Sequence, residues 1–277
     1  MKVSGFTFVR DAIRFGYPVF ESIASVLPLC DEFIIVVGNS QDETLSLIHS
    51  INSPKIRIIE TVWDETLKEK WRIFAQQTNI ALSHCRYEWC FYIQADEVLH
   101  EKFYPRVMKA MEDNLEDHRV QGLLFDYIHF YGSYWTIAKG RKWYRREIRI
   151  VRNHIGVESY KDAQGFRIGR KKLLVKHIGA QVYHYGWARP PHIMIEKQRN
   201  LDRFWHTDFE IEKKYSKNTG IFSEQEYVEI FKDTHPACMA QKIANSPSVD
   251  NLQVKKKGFL YFIKNLPIFE YRNYKLI

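Results

Sequence analysis

The chain has 277 residues, of which 45% are hydrophobic and 27% charged, with a formal net charge of +8 and a pI near 9.1. This composition is typical of a globular protein and excludes both a disordered chain and a membrane-spanning one. The basic balance predicts an anionic partner, and a nucleoside diphosphate, a nucleic acid and an acidic membrane face all satisfy it.

The cysteines and the N-terminal residues bear on cellular location. Cys30, Cys85, Cys90 and Cys238 lack the paired spacing of a zinc site, so we expect reduced thiols. Residues 3–9 lack the apolar core and cleavage site of a signal peptide, and no stretch of about 18 apolar residues is present. The sequence therefore predicts a cytoplasmic protein.

The N-terminal part of the chain alternates short apolar runs with amphipathic segments, which is typical of parallel strands joined by crossover helices. Strands are predicted at residues 3–9, 33–37, 56–60 and 89–93, and helices at 18–27, 42–48, 66–84 and 103–111. We therefore expect an α/β fold whose sheet is flanked by helices.

Beyond residue 120 the pattern becomes more mixed. Strands are predicted at residues 121–130, 148–152, 173–177 and 181–185, followed by helices at 194–205 and 227–231. We expect one catalytic domain at residues 1–190 with a central mixed sheet. A helical extension at residues 191–277 would pack on it and could contact an acceptor or a membrane.

An acidic turn follows the apolar run at residues 89–93, where Gln94 and Ala95 lead to Asp96 and Glu97. Ligands of open α/β sheets bind outside the carboxyl ends of the strands. A carboxylate pair there can hold Mg²⁺ or Mn²⁺, which would neutralise a substrate diphosphate. The spacing equally allows Asp96 to cap a helix beginning near Glu101 or Phe103.

Several segments together resemble a known family. They are Arg10 and Asp11 after the first strand, the turn from Asn39 through Asp42 to Thr44, Asn79 in the preceding helix, and Ala95-Asp96-Glu97. Over residues 1–190 the chain resembles the family 2 glycosyltransferases of the GT-A fold, specifically the short bacterial enzymes. The resemblance implies a GT-A-like, Rossmann-type mixed sheet. It also implies metal-assisted, inverting transfer of a sugar from a nucleotide-sugar donor to a saccharide or lipid-linked acceptor, in cell-surface polysaccharide or lipopolysaccharide synthesis.

The resemblance also assigns residues to the donor site. The implied nucleotide-sugar contacts are Arg10, Asn39, Asp42, Asn79, Gln94, Asp96 and Glu97. Asp96 would ligate the Mn²⁺ or Mg²⁺. Gln94 replaces the first acid of the family's Asp-x-Asp pattern, and it can hydrogen-bond a ribose hydroxyl but brings no charge. Plain turn and cap chemistry is the alternative explanation for Asn39, Ser40 and Asp42.

Downstream residues are candidates for metal binding and catalysis. In related transferases a later histidine completes the metal site, and His184 at a predicted strand end is favoured over His177; a buried structural histidine is the alternative. An inverting transfer needs a carboxylate base, for which Asp162 is the first candidate and Glu158 the rival. Both could also be solvated loop carboxylates. Asp126 is a further candidate for sugar or acceptor contact.

A basic and aromatic segment lies between these acids. Arg141 and Arg145 could bind the leaving diphosphate or an anionic acceptor, while Trp143 and Tyr144 could stack on sugar rings. A nucleic-acid surface or a solvated face has the same appearance. No Gly-rich phosphate loop follows the first strand, which argues against a nucleotidyltransferase.

A non-catalytic basic binding protein is the competing class. Its partner would be an anionic membrane or a nucleic acid. The basic residues are dispersed and no nucleic-acid-binding motif is recognised, so no nucleic acid is expected. A basic triplet precedes an aromatic run at residues 255–263, which could add a peripheral contact with an anionic membrane.

Overall fold

The computed structural model describes residues 1–64, 72–140, 142–203, 206–216, 222, 227–246 and 273–277. Within them the strands are β1 (Val3–Val9), β2 (Glu32–Val37), β3 (Ile56–Glu60), β4 (Trp89–Tyr92), β5 (Glu97–Leu99), β6 (Gly122–Tyr131), β7 (Thr136–Ala138), β8 (Arg146–Arg152), β9 (Val157–Tyr160), β10 (Gly165–Ile168), β11 (Lys171–Lys172), β12 (Leu174–Trp187), β13 (Val228–Ile230) and β14 (Lys275–Leu276). The helices are α1 (Val19–Val26), α2 (Thr44–His49), α3 (Arg72–Ser83), α4 (Tyr104–Asp113), α5 (Pro191–Asp202), α6 (Asp208–Tyr215) and α7 (Ala240–Ala244).

The main sheet is mixed, as predicted. β1 pairs in parallel with β2 and β4, and β2 with β3, whereas β8 runs antiparallel between β4 and β6. β1 and β2 are buried along almost their whole length, which explains their nearly continuous apolar sequence. Apolar side chains of α1 and α4 cover one face, and those of α3 and a small β9–β10–β11 sheet cover the other.

β12 differs from the prediction of two separate strands. It is one strand with a register shift between His177 and Gln181 against β6. Gly179 lies in this bulge with a φ of +66°, a conformation that favours glycine. Beyond the bulge His184 lies opposite Glu97 of β5 on one side and His129 of β6 on the other. The bulge thus allows one strand to continue to the acidic turn.

The extension beyond residue 190 contains strands as well as helices. The predicted helix at residues 227–231 is wrong, because β13 pairs antiparallel with β7. Its Val and Ile residues favour strands, and the available edge of β7 outweighs any local helical tendency. β14 pairs in parallel with β12, so the extension also joins the main sheet. Residues 255–263 lie outside the described residues.

Among the described residues, no helix has the length and apolar content needed to cross a bilayer.

Candidate functional site

A cavity of about 470 Å³ lies where the main sheet meets α5. The end of β1, the turn at residues 94–96, the β9–β10 turn, the end of β12 and one side of α5 contribute to its walls. The volume is in the range of small-molecule sites. The cavity is at the carboxyl ends of β1 and β4, where the sequence predicts a ligand.

Asp96 is the acidic residue at the centre of this site. It is 9% exposed, and its Oδ2 lies 3.3 Å from Lys197 Nζ, 3.7 Å from Arg189 Nη2 and 3.7 Å from His184 Nε2. Burial acts to raise the pKa of Asp96, but Lys197, His184 and Arg189 together hold that pKa well below its usual value. Asp96 is therefore ionised and surrounded by cationic groups.

Asp96 does not cap a helix. Strand β5 begins at the next residue, and Asp96 O accepts a backbone hydrogen bond from Tyr185 N at 2.8 Å. The cap of the following helical turn is His100, whose Nδ1 accepts from Lys102 N at 3.3 Å. The alternative explanation of the acidic turn is therefore wrong.

His184 is oriented by a second histidine. His129 Nε2 is 2.6 Å from the Tyr144 carbonyl, which can only accept, so this nitrogen donates. Burial, followed by His184, lowers the pKa of His129 well below its usual value, so the ring is neutral and its Nδ1 accepts. His184 Nδ1, 3.0 Å from that atom, is then the donor, and His184 Nε2 faces Asp96.

Asp96 and His184 lie close together in the structure, as predicted. That they bind a metal ion stays a prediction. Within the described ranges, no group of three or more His, Cys, Asp or Glu side chains could hold an ion. The same Asp96 oxygen already contacts Lys197 and Arg189. These donors do not fit a divalent ion held by the protein alone.

Glu97, a predicted nucleotide-sugar contact, lies in a buried ion pair with Arg149. Its carboxylate is fully buried and receives two hydrogen bonds from Arg149, at 2.6 and 2.8 Å, and one from Tyr127 OH at 2.8 Å. Its side chain is therefore not available to a nucleotide. Gln94 does line the cavity, and its Nε2 donates to the Ala163 carbonyl at 3.2 Å.

Asp162 lines the same cavity from the turn between β9 and β10. Burial raises the pKa of its carboxyl group. The flanking residues Lys161 and Ala163 have φ values of +57° and +63°. Such left-handed conformations cost about 1–3 kcal/mol each for residues other than glycine and are concentrated at functional sites. Glu158, the rival base, is exposed on β9 and is not among the lining residues.

Other predicted donor contacts stabilise local structure. Asp42 Oδ2 accepts from Arg14 N at 2.7 Å, Asn39 Oδ1 from Trp63 N at 3.2 Å, and Asn79 Oδ1 from Ser159 N at 2.7 Å. None of these three acceptors lines the cavity, and their hydrogen bonds fit the alternative of turn and loop chemistry. Their assignment to the nucleotide stays a prediction.

Arg10 does line the cavity, and its guanidinium lies over the Trp63 ring at 5.0 Å.

The basic segment is only partly at the site. Lys142, Trp143 and Tyr144 line the cavity, whereas the exposed Arg145 does not. Arg141 lies outside the described residues. Asp126, a further acceptor candidate, binds Arg146 and His177, at 2.8 Å each.

Lys197 lines the cavity but was not among the site residues predicted from the sequence. It is 8% exposed, and burial together with Arg189 lowers its pKa to about 8. A signal was present, because Lys197 follows Met194 by three residues and precedes Leu201 by four. It therefore shares their apolar helix face.

The fold and cavity together define an α/β protein with a cavity of small-molecule size at the strand ends. Residues 17–178, more than half of the chain, match the family described as glycosyl transferase family 2, and the chain belongs to that family. This membership and the mixed sheet confirm the predicted GT-A-like fold. The matched residues supply part of the cavity lining, and the end of β1, the end of β12 and α5 supply the rest from outside the matched range.

Individual relatives are more distant. Lipopolysaccharide core biosynthesis glycosyltransferase LpsC of Rhizobium meliloti (strain 1021) is 32% identical over 134 residues, which cover 47% of this chain and 44% of LpsC. The match thus spans less than half of that relative. S. aureus TarS 1-349 is 14% identical with a TM-score of 0.41, over 79% of this chain and 74% of that chain. Glucosyl-3-phosphoglycerate synthase from Mycobacterium tuberculosis, solved with Mn²⁺, UDP and phosphoglyceric acid, is 16% identical with a TM-score of 0.31, over 46% and 43%.

Proposed function

We propose that the chain is a glycosyltransferase that moves a sugar from a nucleoside diphosphate-sugar to a saccharide or lipid-linked acceptor. Family membership supports the reaction class. The observation that carries the proposal is that a single cavity is lined by Asp162, whose raised pKa suits a base, and by the Lys197 ammonium beside Asp96. The Asp162 carboxylate can accept a proton, and the Lys197 ammonium can bind a diphosphate.

The donor's base is assigned to an aromatic wall near the end of β1. Phe8 stacks on Phe74 at 5.8 Å between ring centroids, and Trp63 meets Phe74 edge to face at 5.6 Å. Aromatic surfaces of this kind can stack on any nucleobase. Since the cationic groups lie around Asp96, the diphosphate is assigned to that part of the cavity.

The acceptor is assigned to a second aromatic wall. Trp143 and Trp187 meet edge to face at 5.9 Å, and both line the cavity together with Tyr144. Aromatic rings with a polar edge suit the apolar face and hydroxyl groups of a sugar. The similarity to LpsC, a lipopolysaccharide core biosynthesis glycosyltransferase, supports a lipopolysaccharide saccharide as the acceptor class.

Asp162 acts as the base in this proposal. Its carboxylate takes the proton of the acceptor hydroxyl while that oxygen forms a bond to the anomeric carbon. The bond between the anomeric carbon and the diphosphate oxygen breaks, and the nucleoside diphosphate leaves with the electron pair. A direct displacement of this kind inverts the anomeric centre. No step is assigned to Mn²⁺ or Mg²⁺, because Asp96 already contacts protein cations.

A donor and acceptor panel tests the proposal. Purified protein would be mixed with nucleotide-sugars and saccharide acceptors, with and without Mn²⁺ or Mg²⁺, and nucleoside diphosphate release would be measured. Asp162→Asn should lose about 10²–10⁴-fold of the rate, as expected for removal of a general base. Asp113→Asn, at an exposed ion pair on α4, is the matched control and should retain the rate. Full activity of Asp162→Asn would exclude this base, and no turnover of any donor would contradict the function.

The non-catalytic alternative remains distinguishable by the same assay. A basic binding protein would release no nucleoside diphosphate, and its binding to anionic vesicles would not depend on Asp162. Peripheral membrane contact through residues 255–263 stays a prediction, since these residues lie outside the described ranges. Vesicle flotation of the Lys255→Ala, Lys256→Ala, Lys257→Ala triple variant would test it.

A further inference from the structure

Helix α5 places a buried ammonium group beside the acidic turn. Lys197 Nζ lies 3.3 Å from Asp96 Oδ2 and donates to the Gly186 carbonyl at 3.1 Å. Lys197 lines the cavity although it is only 8% exposed. A lysine that reaches a cavity wall from a buried position and is held by two acceptors has a defined orientation, unlike a surface lysine.

Arg189 adds a second fixed cation behind Asp96. Its Nε donates to the Gly16 carbonyl at 3.0 Å and its Nη1 to the Gly186 carbonyl at 2.9 Å. Its buried Nη2 has no hydrogen-bond partner among the described residues and lies 3.7 Å from Asp96 Oδ2. One carboxylate thus faces two cations, the Arg189 guanidinium and the protonated Lys197 ammonium, which leaves a local surplus of positive charge for an anion to balance.

A divalent ion fits this arrangement poorly. Asp96 and His184 are the ligand-type residues at the turn, and the Asp96 oxygen that faces His184 is the one that contacts Lys197. An ion bound there would lie next to the Lys197 ammonium in a buried setting, where repulsion between like charges is strong. The ion and the protonated ammonium therefore compete for one carboxylate.

We propose that Lys197 binds the donor diphosphate directly and acts as the built-in cation of this site, so that nucleoside diphosphates bind without a divalent ion. This inference rests on the proposed function. Asp96 holds the ammonium in place, Arg189 supplies the surplus charge, and the diphosphate oxygens accept hydrogen bonds from Lys197 Nζ. The chain itself then provides the charge neutralisation that the resemblance assigns to Mn²⁺ or Mg²⁺.

Titration calorimetry tests this inference on the full chain. Uridine, guanosine and deoxythymidine diphosphates would each be titrated in EDTA and again in Mn²⁺. The wild-type protein should bind its preferred diphosphate in EDTA, with little gain from Mn²⁺. Lys197→Met should weaken binding in EDTA by about tenfold or more, the loss expected for one charge-assisted hydrogen bond. Mn²⁺ should restore part of this loss, since Asp96 becomes free for the ion.

Two further variants control the measurement. Lys197→Arg keeps the charge and should retain more affinity in EDTA than Lys197→Met. Lys109→Met, at an exposed ion pair on α4, should bind like wild type. The wild-type titration shows whether the diphosphate binds without a divalent ion, even if a variant fails to fold. Binding that requires Mn²⁺ overturns this inference and leaves the proposed function intact, whereas no binding in either condition overturns both.

Discussion

Asp162 combines a cavity position with a strained local backbone and a destabilised charge. Its raised pKa means that folding disfavours the ionised form. The charge therefore lowers stability in full above the folded pKa, and this cost disappears as the pH falls from the folded pKa to the lower, unfolded one. A residue that contributes only to folding would not be expected to carry such a cost. These features support a catalytic carboxylate.

The pH dependence of turnover should report this carboxylate. The rate should fall as the pH drops through the raised pKa, at a higher pH than for an ordinary aspartate, because the base must be ionised. Asp162→Asn should remove this limb. It should also leave the melting temperature at pH 7 unchanged or higher, since it removes a charge that folding disfavours. A melting temperature lowered by several degrees would instead indicate a structural role.

Gly186 is the residue on which the geometry of Asp96 and His184 depends most closely. A Cβ atom there would lie 2.5 Å from His184 Nε2 and 2.8 Å from Asp96 Oδ2. Gly186→Ala should therefore displace the ends of these two side chains and weaken nucleoside diphosphate binding, measured by calorimetry, while the protein remains folded.

Gly5→Ala should destabilise the protein without weakening diphosphate binding. Its Cβ would overlap the ring of the buried Phe33, so overpacking should lower the free energy of unfolding by about 1–3 kcal/mol. The protein that remains folded should bind diphosphate normally.

For Gly186→Ala, in contrast, an unchanged affinity for the donor would contradict the assignment of the turn at Asp96 to the site.

The sequence predicted some site residues because their signals are local. Asp96 follows an apolar strand, Asp162 is in a polar turn, and His184 precedes an aromatic loop. The burial of Glu97 could not be predicted, because its partner Arg149 is 52 residues away and comes into contact only when β5 and β8 are assembled. The spacing of Lys197 from Met194 and Leu201 indicated its helix face, but its approach to Asp96, 101 residues away, depends on the assembled fold.

At the scale of elements, a buried ion pair links β5 to β8. Glu97 and Arg149 are both fully buried. Arg149→Met should lower the free energy of unfolding by about 3–5 kcal/mol, because it leaves an unpaired buried carboxylate. The double variant Glu97→Gln with Arg149→Met should lose less than the sum of the single changes, measured by urea denaturation.

An exposed pair provides the comparison for this prediction. Asp113→Asn removes the partner of Lys109 on α4, and the expected loss is below about 1 kcal/mol, as for surface pairs in general. Equal losses at the buried and exposed pairs would contradict the structural role of Glu97.

Elements were predicted well where periodicity was strong. β1, β2, β3 and α4 match their predicted positions because each packs apolar side chains on the core, β1 and β2 along almost their whole length and β3 through Ile56 and Ile58. β12 and β13 were predicted less well. A bulge at Gly179 and pairing with the edge of β7 depend on partners distant in the sequence, which a local pattern does not contain.

At the scale of the whole molecule, the site is assembled from segments far apart in the chain. The turn at Asp96, the turn at Asp162, the end of β12 and α5 meet at one cavity. The fold class follows from the alternation of strands and helices. The predicted boundary at residue 190 stays a prediction, although α5, which lies beyond it, supplies Lys197 to the cavity.

Donor binding should therefore be detected in α5. In the presence of a bound nucleoside diphosphate, backbone amide exchange should slow in α5 and in the β9–β10 turn, because both contact the ligand. Exchange in α4, which has no residue at the cavity, should change much less. Hydrogen–deuterium exchange with mass spectrometry measures this difference, and protection confined to other segments would contradict the assembled site.

The most direct test of the central claim is a crystal structure with an intact nucleoside diphosphate-sugar, using Asp162→Asn to prevent turnover. We predict that the base lies against Phe8 and Trp63, that the diphosphate lies beside Lys197 and Asp96, and that the anomeric carbon faces residue 162. A donor bound outside this cavity, or one with its sugar directed away from residue 162, would contradict the account.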